Sequence, residues 1–487
     1  MAKKKLTILH SNDLHGDFLP EDKDGLETGG LSRLAGYVRQ ARAKEKNVIY
    51  ANAGDMFRGS IIDSEYLGLS TIDLMNSLSP DVTTVGNHEV DYGVAHLLFL
   101  EKCARFPIIN ANLFVTLNNA RLFEPYLTLN VDGMQIMFIG ILTEEVIAST
   151  KNEKVIGTFI DTVEAAKEVG IICDNYRTRK TDMVILLTHI GIEEDRKLAR
   201  LLNPDWGVDL IIGGHSHTFM EAPEIVNGIP IVQVGRGTDQ IGRFDIEIDT
   251  DEHKMVSYQW ECIPIDSRHC PIDPILESVL NSYKERTDRI YGKIVTNFKR
   301  KLTHPSRYQE TELGNLFADL LQVDSSFEVM LMGSGSIRLK EMGPIVQFQE
   351  LKECVPYNAP VYMLEVSGQQ FRRMMRFMLR DEMFVEGSHG EFYQVSKGMK
   401  MVYDRKKGDF EEFSLNGEEI ADDRMVRIAL QDYHFKNFTE FFNVPVEEVI
   451  ANKKPRMVIT DDFSIFEELL SSMNNVDSHV EGRITIK

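Results

Sequence analysis

The sequence predicts a layered α/β fold. Through its first half, short runs rich in β-branched residues alternate with stretches of helical periodicity, a pattern typical of a sheet covered by helices. Five of the apolar runs end on aspartate, asparagine or histidine, and the carboxyl ends of strands are where open α/β sheets bind ligands. The chain has 487 residues, which is too long for one hydrophobic core, so we expect two domains.

Helices and strands are expected to alternate up to about residue 213. The periodic patterns predict helices at residues 30–46, 69–79, 94–105, 162–180 and 193–202. The runs between them predict strands near residues 47–52, 82–85, 107–112, 134–142, 183–188 and 208–213. From 229 to 265 the sequence shows strand patterns alone, which favours an antiparallel layer.

A long helix is expected to join the two domains. The helical pattern over residues 271–295 has Pro274 near its start and Gly292 near its end, and these residue types suit a helix start and a helix end. We therefore predict a first domain over residues 1–270, a linker helix over 271–296 and a smaller α+β domain over 297–487. In that last domain, helices are expected near residues 311–322, 367–380 and 459–474.

The composition indicates an ordinary globular protein with an acidic surface. Hydrophobic residues make up 43% and charged residues 26% of the chain, and the formal net charge is −21. This charge argues against nucleic acid or an anionic membrane as a partner, because both need a basic surface. An anionic substrate would require local cations, which divalent metals and a few arginines could supply.

Cysteine usage and the N-terminal segment favour a cytoplasmic protein. The five cysteines form no CxxC pair, so we expect free thiols rather than a disulfide framework. The segment MAKKKLTILHSND has too few apolar residues for the core of a signal peptide. The sequence leaves the oligomeric state open.

The five apolar runs that end on metal-binding side chains predict a metal centre. The runs are LTILHSNDLH, VIYANAGD, VTTVGNHE, MVILLTHIG and VDLIIGGHSH, and they deliver Asp13, His15, Asp55, Asn87, His88, His189, His215 and His217. Buried carboxylates and imidazoles are costly unless they are paired or coordinated. Mixed Asp, Asn and His ligation suits Mn²⁺, Zn²⁺ or Fe better than Ca²⁺ or Mg²⁺. Asp55 could bridge two such ions, and the pair His215 and His217 could serve both ions or one.

His88 and Asp91 are predicted to be catalytic. His88 directly follows Asn87, so its ring should lie at the same cavity without binding metal. Asp91, three residues on, could hydrogen-bond the ring and fix its tautomer. Two ions held close together can activate a water and clamp the oxygens of a phosphoryl group during in-line displacement. We expect His88 to stabilise or protonate the departing or equatorial oxygen of such a group, work typically worth about 10²–10⁴-fold in rate.

The order of motifs resembles a known family. The series D-x-H, GD, GNHExD, TH and GHxH resembles the calcineurin-like metallophosphoesterases, and LHSNDLHG, GNHEVDYG and GGHSH look like the 5′-nucleotidase and UDP-sugar hydrolase branch. The resemblance implies a four-layer α/β/β/α catalytic domain followed by a substrate-binding C-terminal domain. It also implies one ion on Asp13, His15, Asp55 and His217 and a second on Asp55, Asn87, His189 and His215. His88 and Asp91 fall on the family's catalytic pair.

The second half resembles the substrate domain of that branch less closely. The resemblance implies that the substrate-binding residues are Arg307, Arg338, Tyr357 and Tyr433. The arginines would hold the substrate's anionic end, and the two rings would stack on a base. The chain departs from the family's pattern at Gly333 and Ala359, where the family has Asn, and the Gly-Gly-Asp turn after the second aromatic is missing.

These observations predict a cytoplasmic, bacterial-type metallophosphoesterase that uses two divalent metal ions. It would cleave phosphate from nucleotides or related small phosphoesters by attack of a metal-bound hydroxide. One alternative is a nucleotide pyrophosphatase or phosphodiesterase acting on NAD, a UDP-sugar or a 2′,3′-cyclic nucleotide. Another is a non-catalytic metal- and nucleotide-binding protein, against which the intact His88 and Asp91 argue.

Overall fold

The computed structural model of the chain describes residues 3–115, 118–143, 161–322, 325–385 and 390–487. The chain forms two compact units, Met1–Thr287 and Asp288–Lys487. The division between them falls within the helix Pro274–Tyr291. The three-part division at residues 270 and 296 stays a proposal.

Unit 1 is built on two six-stranded sheets. Its strands are β1 (Lys3–Ser11), β2 (Glu21–Lys23), β3 (Leu26–Thr28), β4 (Val48–Asn52), β5 (Val82–Thr84), β6 (Ile108–Ile109), β7 (Tyr126–Val131), β8 (Met134–Leu142), β9 (Thr181–His189), β10 (Leu210–Ile212), β11 (Glu224–Val226), β12 (Ile229–Val232), β13 (Gln240–Asp249) and β14 (Lys254–Pro264). The first sheet has the order β14-β13-β1-β4-β5-β6 and the second β11-β12-β10-β9-β8-β7. Strands β2 and β3 form a separate hairpin.

The centre of each sheet is parallel. Strands β1, β4, β5 and β6 run parallel in the first sheet, as do β8, β9, β10 and β12 in the second. All nine residues of β9 are buried, as expected for a parallel strand covered on both faces. The segment predicted as one antiparallel layer divides between the sheets, because β12 joins the second sheet while β13 and β14 pair antiparallel on the first.

Helices cover the outer faces of both sheets. They are α1 (Leu31–Lys44), α2 (Ile61–Glu65), α3 (Leu69–Leu78), α4 (Val94–Cys103), α5 (Thr162–Tyr176), α6 (Ile192–Leu201) and α7 (Pro274–Tyr291). One core joins α1, α3, α4 and the start of α7 to the first sheet, and another joins α5 and α6 to the second. A third core, which includes Ile8, Ile49, Phe138 and Ile185, lies between the sheets. The predicted four-layer α/β/β/α architecture is confirmed.

Unit 2 is a smaller α+β structure. Its strands are β15 (Ile294–Asn297), β16 (Leu302–Thr303), β17 (Val329–Gly333), β18 (Glu341–Met342), β19 (Ile345–Gln347), β20 (Val361–Ser367), β21 (Tyr393–Val395), β22 (Met399–Asp404), β23 (Asp409–Leu415), β24 (Glu418–Glu419), β25 (Met425–Gln431), β26 (Arg456–Ile459) and β27 (Ile484–Ile486). Its helices are α8 (Glu312–Leu321), α9 (Phe348–Cys354), α10 (Gly368–Met378), α11 (Asp432–Lys436), α12 (Phe438–Phe442), α13 (Val446–Ile450) and α14 (Asp462–Ser472).

The central sheet of unit 2 has the order β21-β17-β25-β20-β26, and a second sheet has the order β24-β23-β22-β27. Cores form on both sides of the five-stranded sheet. The predicted helices 311–322, 367–380 and 459–474 correspond to α8, α10 and α14. In the part of the chain that the structure describes, no helix is both long and apolar enough to cross a membrane.

Candidate metal centre and substrate cavity

The predicted metal ligands lie just beyond, or at, the carboxyl ends of five parallel strands of unit 1. Strands β1, β4, β5, β9 and β10 end at Ser11, Asn52, Thr84, His189 and Ile212. Five of the ligand candidates have left-handed backbone conformations, with φ of 52° at Asp13, 48° at His15, 54° at Asp55, 79° at His215 and 51° at His217. This conformation is uncommon for residues other than glycine and clusters at functional sites.

Glycines allow these turns to pack closely together. A Cβ on Gly86 would lie 2.2 Å from Oδ1 of Asp55, and one on Gly54 would lie 2.9 Å from Nδ1 of His189. A Cβ on Gly214 would likewise lie 2.9 Å from Nδ1 of His189. Side chains at these positions would push the turns apart, which explains why the motifs GD, GNHE and GGHSH contain glycine.

Asp13, His15 and His217 form the first cluster. Nε2 of His217 lies 3.4 Å and Nε2 of His15 lies 3.7 Å from Oδ1 of Asp13. The two Nε2 atoms are 2.9 Å apart. The three donor groups therefore converge on one point.

Asp55, Asn87, His189 and His215 form the second cluster. Nε2 of His189 lies 3.1 Å from Oδ2 of Asp55 and 3.1 Å from Oδ1 of Asn87. Nδ1 of His215 lies 2.8 Å from the same asparagine oxygen. The Oδ2 atom of Asp55 also lies 3.7 Å from Nε2 of His15, so this carboxylate stands between the two clusters.

The donor set and its spacing fit divalent ions. Neighbouring ligands held at about 2.1 Å from one ion lie about 3.0–3.4 Å apart in octahedral or tetrahedral geometry. Within each cluster, every donor atom lies 2.8–3.4 Å from the donor atom nearest to it. The nitrogen and oxygen donors are those that Mn²⁺, Zn²⁺ and Fe accept.

Electrostatics also favour a cation at this place. Asp13 and Asp55 are 0% and 1% exposed, and two buried carboxylates are costly without positive charge. Burial lowers the pKa of His189, but the charge and hydrogen bond of Asp55 outweigh it and raise that pKa to about 10. A proton on His189 thus balances Asp55 in the metal-free protein, and a bound divalent ion would replace it.

Neighbouring groups orient the ligands. Nδ1 of His189 lies 2.7 Å from the carbonyl oxygen of Ala53, which can only accept, so this nitrogen donates and Nε2 is left to face the cluster. The side-chain amide of Asn12 donates to Oδ2 of Asp13 at 2.6 Å. Glu89, which the motif analysis left without a role, accepts the backbone N–H groups of Asp55, Met56 and Gly86. Burial next to Asp55 raises the pKa of Glu89 well above its usual range.

The predicted catalytic pair is formed. Nδ1 of His88 lies 2.6 Å from Oδ2 of Asp91. The ring of His88 packs edge-on against that of His15, with centroids 5.2 Å apart. The hydrogen bond with Asp91 raises the pKa of His88 above its ordinary value, although burial opposes this. Arg58 donates from Nη1 to the same oxygen of Asp91 at 2.5 Å, and nothing in the sequence motifs indicated this contact.

All four predicted substrate-binding residues lie at one cavity in unit 2. The cavity has a volume of about 700 Å³ and is lined by Arg307, Arg338, Tyr357 and Tyr433 together with Gln431 and Glu391. The two tyrosines are 48% and 63% exposed, so their rings are available to a ligand. Among the described residues, neither arginine forms an ion pair. The guanidinium of Arg338 donates to the carbonyl oxygen of Gly335 at 3.4 Å.

Packing explains the departure from the expected pattern at Gly333. A Cβ on Gly333 would lie 2.2 Å from Nε2 of His434, so a side chain at this position would displace the buried histidine. The backbone N–H of Ala359 donates to Asp462 at 2.8 Å. The adjacent Asn358, which also lines the cavity, donates to Oδ2 of Asp461 at 3.1 Å, and nothing in the structure explains the alanine at position 359.

Two protein-family models match consecutive parts of the chain. Residues 6–219 match the model of the calcineurin-like phosphoesterases, and all the metal-ligand candidates fall in that range. Residues 291–446 match the 5′-nucleotidase C-terminal domain, a range that includes the four cavity residues named above.

The chain is also similar to individual proteins along almost its whole length. It is 28% identical to the 5′-nucleotidase of Homo sapiens over 541 residues, covering 99% of this chain and 90% of that protein. The crystal structure of a 5′-nucleotidase precursor from Thermus thermophilus shares the fold, with a TM-score of 0.58, 23% identity and 99% of each chain covered. The structure of an NAD nucleotidase from Haemophilus influenzae has a TM-score of 0.58 at 18% identity, covering 100% of this chain and 99% of that one.

Both family models occur in the same order as the two units of the chain. With relatives aligned over nearly its full length, the chain belongs to the calcineurin-like phosphoesterases that carry a 5′-nucleotidase C-terminal domain.

Proposed function

We propose that this hydrolase of phosphoester bonds removes phosphate from nucleotides or related small phosphoesters with the help of two divalent metal ions. The position of Asp55 is the main support, because its Oδ2 atom lies 3.1 Å from Nε2 of His189 and 3.7 Å from Nε2 of His15. A carboxylate between two clusters of donors suits a bridging ligand.

Asp13, His15, Asp55 and His217 would hold one ion, and Asp55, Asn87, His189 and His215 the other. Mn²⁺, Zn²⁺ or Fe fits these ligands best. Bound ions of this kind polarise phosphoryl oxygens and lower the pKa of a coordinated water.

His88 would act on the leaving group. As the new phosphorus–oxygen bond to water forms, the bond to the ester oxygen breaks, and that oxygen needs a proton. His88 has a partly exposed ring beside His15 and Asp55, and its hydrogen bond with Asp91 stabilises the protonated imidazole. Asp91 would keep Nδ1 as the hydrogen-bonded nitrogen and leave Nε2 to donate the proton.

The cavity of unit 2 would recognise the rest of the substrate. Arg307 and Arg338 supply guanidinium groups without acidic partners among the described residues, which suits a phosphate. Tyr357 and Tyr433 offer exposed rings to a base. The two guanidinium groups supply positive charge next to Glu391 and Asp432, which also line the cavity, in a chain whose net charge of −21 would otherwise repel an anionic substrate.

A substrate screen tests the proposal. Mn²⁺-loaded protein would be incubated with nucleoside monophosphates, NAD, a UDP-sugar and a 2′,3′-cyclic nucleotide, with Asp55→Asn as the blank. Monoesters release inorganic phosphate, whereas NAD and the UDP-sugar separate into two organic phosphates, so the products distinguish a nucleotidase from a pyrophosphatase. Equal inertness of wild type and blank on every compound would contradict the proposal.

A further inference from the structure

Arg58 lies beside the His88–Asp91 pair, on the loop that follows Asp55. Its Nη1 donates to Oδ2 of Asp91 at 2.5 Å. Nδ1 of His88 lies 2.6 Å from that same oxygen. Oδ2 of Asp91 is therefore hydrogen-bonded to both Arg58 and His88, and these two contacts restrict rotation of the carboxylate.

The backbone at Arg58 is unusual. Its φ is 64°, a left-handed conformation that glycine or asparagine adopts more readily than arginine. A long side chain kept at such a position suggests a role for its guanidinium. The following residue, Gly59, packs so closely that a Cβ there would lie 1.9 Å from the carbonyl oxygen of His15.

A second contact joins the loop after Asp55 to the turn that contains Asp91. The backbone N–H of Arg58 donates to Oδ2 of Asp63 at 2.8 Å, and the hydroxyl of Tyr92 donates to that atom at 2.7 Å. Tyr92 directly follows Asp91. The loop after Asp55 and the turn after His88 are thus joined twice, once through the Arg58 side chain and once through Asp63.

We propose that Arg58 is a positioning residue: it fixes the carboxylate of Asp91, and through it the orientation of the His88 ring. The inference rests on the role of His88 in the proposed function. Because the guanidinium of Arg58 is already paired with Asp91, it contributes to the rate of the chemical step rather than to substrate affinity.

The first test uses two substitutions, one that suits the left-handed backbone and one that keeps the positive charge. Asparagine tolerates the left-handed conformation, so Arg58→Asn should fold with an unchanged melting temperature. We expect kcat to fall about 10- to 100-fold, as for a displaced catalytic group, with KM within about 2-fold of wild type. Arg58→Lys, which retains a cationic donor, should recover most of the lost rate.

Two further variants separate positioning from other effects. Arg268→Asn removes another exposed arginine of unit 1, outside the site, and should leave kcat unchanged. In an Asp91→Asn background, Arg58→Asn should cost no further rate, because its effect passes through Asp91. A rise in KM with kcat unchanged, or full additivity with Asp91→Asn, would overturn the proposal.

The last readout does not depend on turnover. In metal-free protein labelled with ¹⁵N-histidine, the Nδ1–H proton of His88 can be assigned by its loss in His88→Gln. We expect a low-field resonance in wild type that broadens or disappears in Arg58→Asn and persists in Arg268→Asn. An unchanged resonance in Arg58→Asn would show that Asp91 and His88 do not need Arg58. If wild type proved inert on every phosphoester, the proposed function would fail while this measurement would still decide the role of Arg58.

Discussion

The Nε2 atoms of His15 and His217 lie 2.9 Å apart, although these residues are separated by more than two hundred positions. Both nitrogens also lie within 3.7 Å of Oδ1 of Asp13. Two rings that direct nitrogens at each other gain at most one hydrogen bond, whereas an ion between them and the carboxylate would satisfy all three groups. This triangle is the geometric core of the first predicted metal site.

Metal binding should stabilise unit 1. A ligand at 100 times its dissociation constant adds about 2.7 kcal/mol to the free energy of unfolding, which corresponds to a rise of about 4–5 °C in melting temperature for a unit of this size. Both tryptophans of the chain, Trp206 and Trp260, lie in unit 1, so their fluorescence reports its unfolding.

Asp55→Asn should lose most of this stabilisation by Mn²⁺, since it removes the charge shared by the two clusters. Asp24→Asn is the matched control, because Asp24 is exposed and its φ of 57° suits asparagine. The same rise in melting temperature for Asp55→Asn as for wild type would mean that the ions bind elsewhere.

His88→Ala and Asp91→Asn should lower activity without removing the metals. General acid catalysis contributes about 10²–10⁴-fold, so kcat should fall by this order for His88→Ala and by less for Asp91→Asn. Mn²⁺ should still raise the melting temperature of both variants. His269→Gln, a change at an exposed histidine outside the site, serves as the control. Loss of the Mn²⁺ response in His88→Ala would reassign His88 as a ligand.

The sequence indicated the candidate metal site because each proposed ligand lies at or just beyond the end of a buried parallel strand, where open α/β sheets bind ligands. It did not reveal Arg58. The contact of Arg58 with Asp91 depends on a left-handed turn and on the approach of two loops, which no local pattern encodes. Glu89 stands next to His88 in the motif, yet its role as acceptor for three backbone N–H groups is a property of the folded loops.

The second half of the chain was less predictable for a different reason. Strands such as β16 and β18 have two residues each, too few for an alternating pattern. The long helices α8, α10 and α14 have enough turns to show their periodicity. The four cavity residues were predicted from the resemblance to a family. Their spacing along the chain alone does not indicate that they line one cavity.

Arg307→Ala and Arg338→Ala should weaken substrate binding. A hydrogen bond to a charged group contributes about 1.5–3 kcal/mol, so the KM for a nucleoside monophosphate should rise about 10- to 100-fold in each variant. Competitive inhibition by inorganic phosphate should weaken in parallel. Arg373→Ala, which removes an arginine that Glu448 neutralises, should leave both constants unchanged. An equal loss in this control would point to overall charge rather than to the cavity.

Tyr357→Ala and Tyr433→Ala should reduce the preference for substrates that carry a base. Stacking on one ring is worth about 1–3 kcal/mol, so the ratio of kcat/KM for AMP to that for ribose 5-phosphate should fall about 5- to 100-fold. Phenylalanine at either position keeps the aromatic face and should preserve the ratio. If alanine slowed both substrates equally, the tyrosines would have a structural role and the base would bind elsewhere.

Buried His10 should make unit 1 sensitive to acid. Burial lowers the pKa of His10 to about 3, while an imidazole in the unfolded chain titrates near its ordinary value of about 6.5. Between these values the unfolded state binds the proton and the folded state does not, so the free energy of unfolding falls as pH drops from about 6.5 towards 3. One such group contributes a slope of about 1.4 kcal/mol per pH unit. Chemical denaturation followed by tryptophan fluorescence at a series of pH values measures this slope.

His10→Gln isolates the contribution of this one residue. Nε2 of His10 accepts the indole N–H of Trp260 at 3.0 Å, and glutamine also offers a neutral acceptor without titrating. The variant should therefore show a shallower loss of stability between pH 6.5 and 4, whatever its stability at neutral pH. His269→Gln, at an exposed position, should leave the slope nearly as in wild type. A slope unchanged by His10→Gln would mean that other buried groups cause the acid sensitivity.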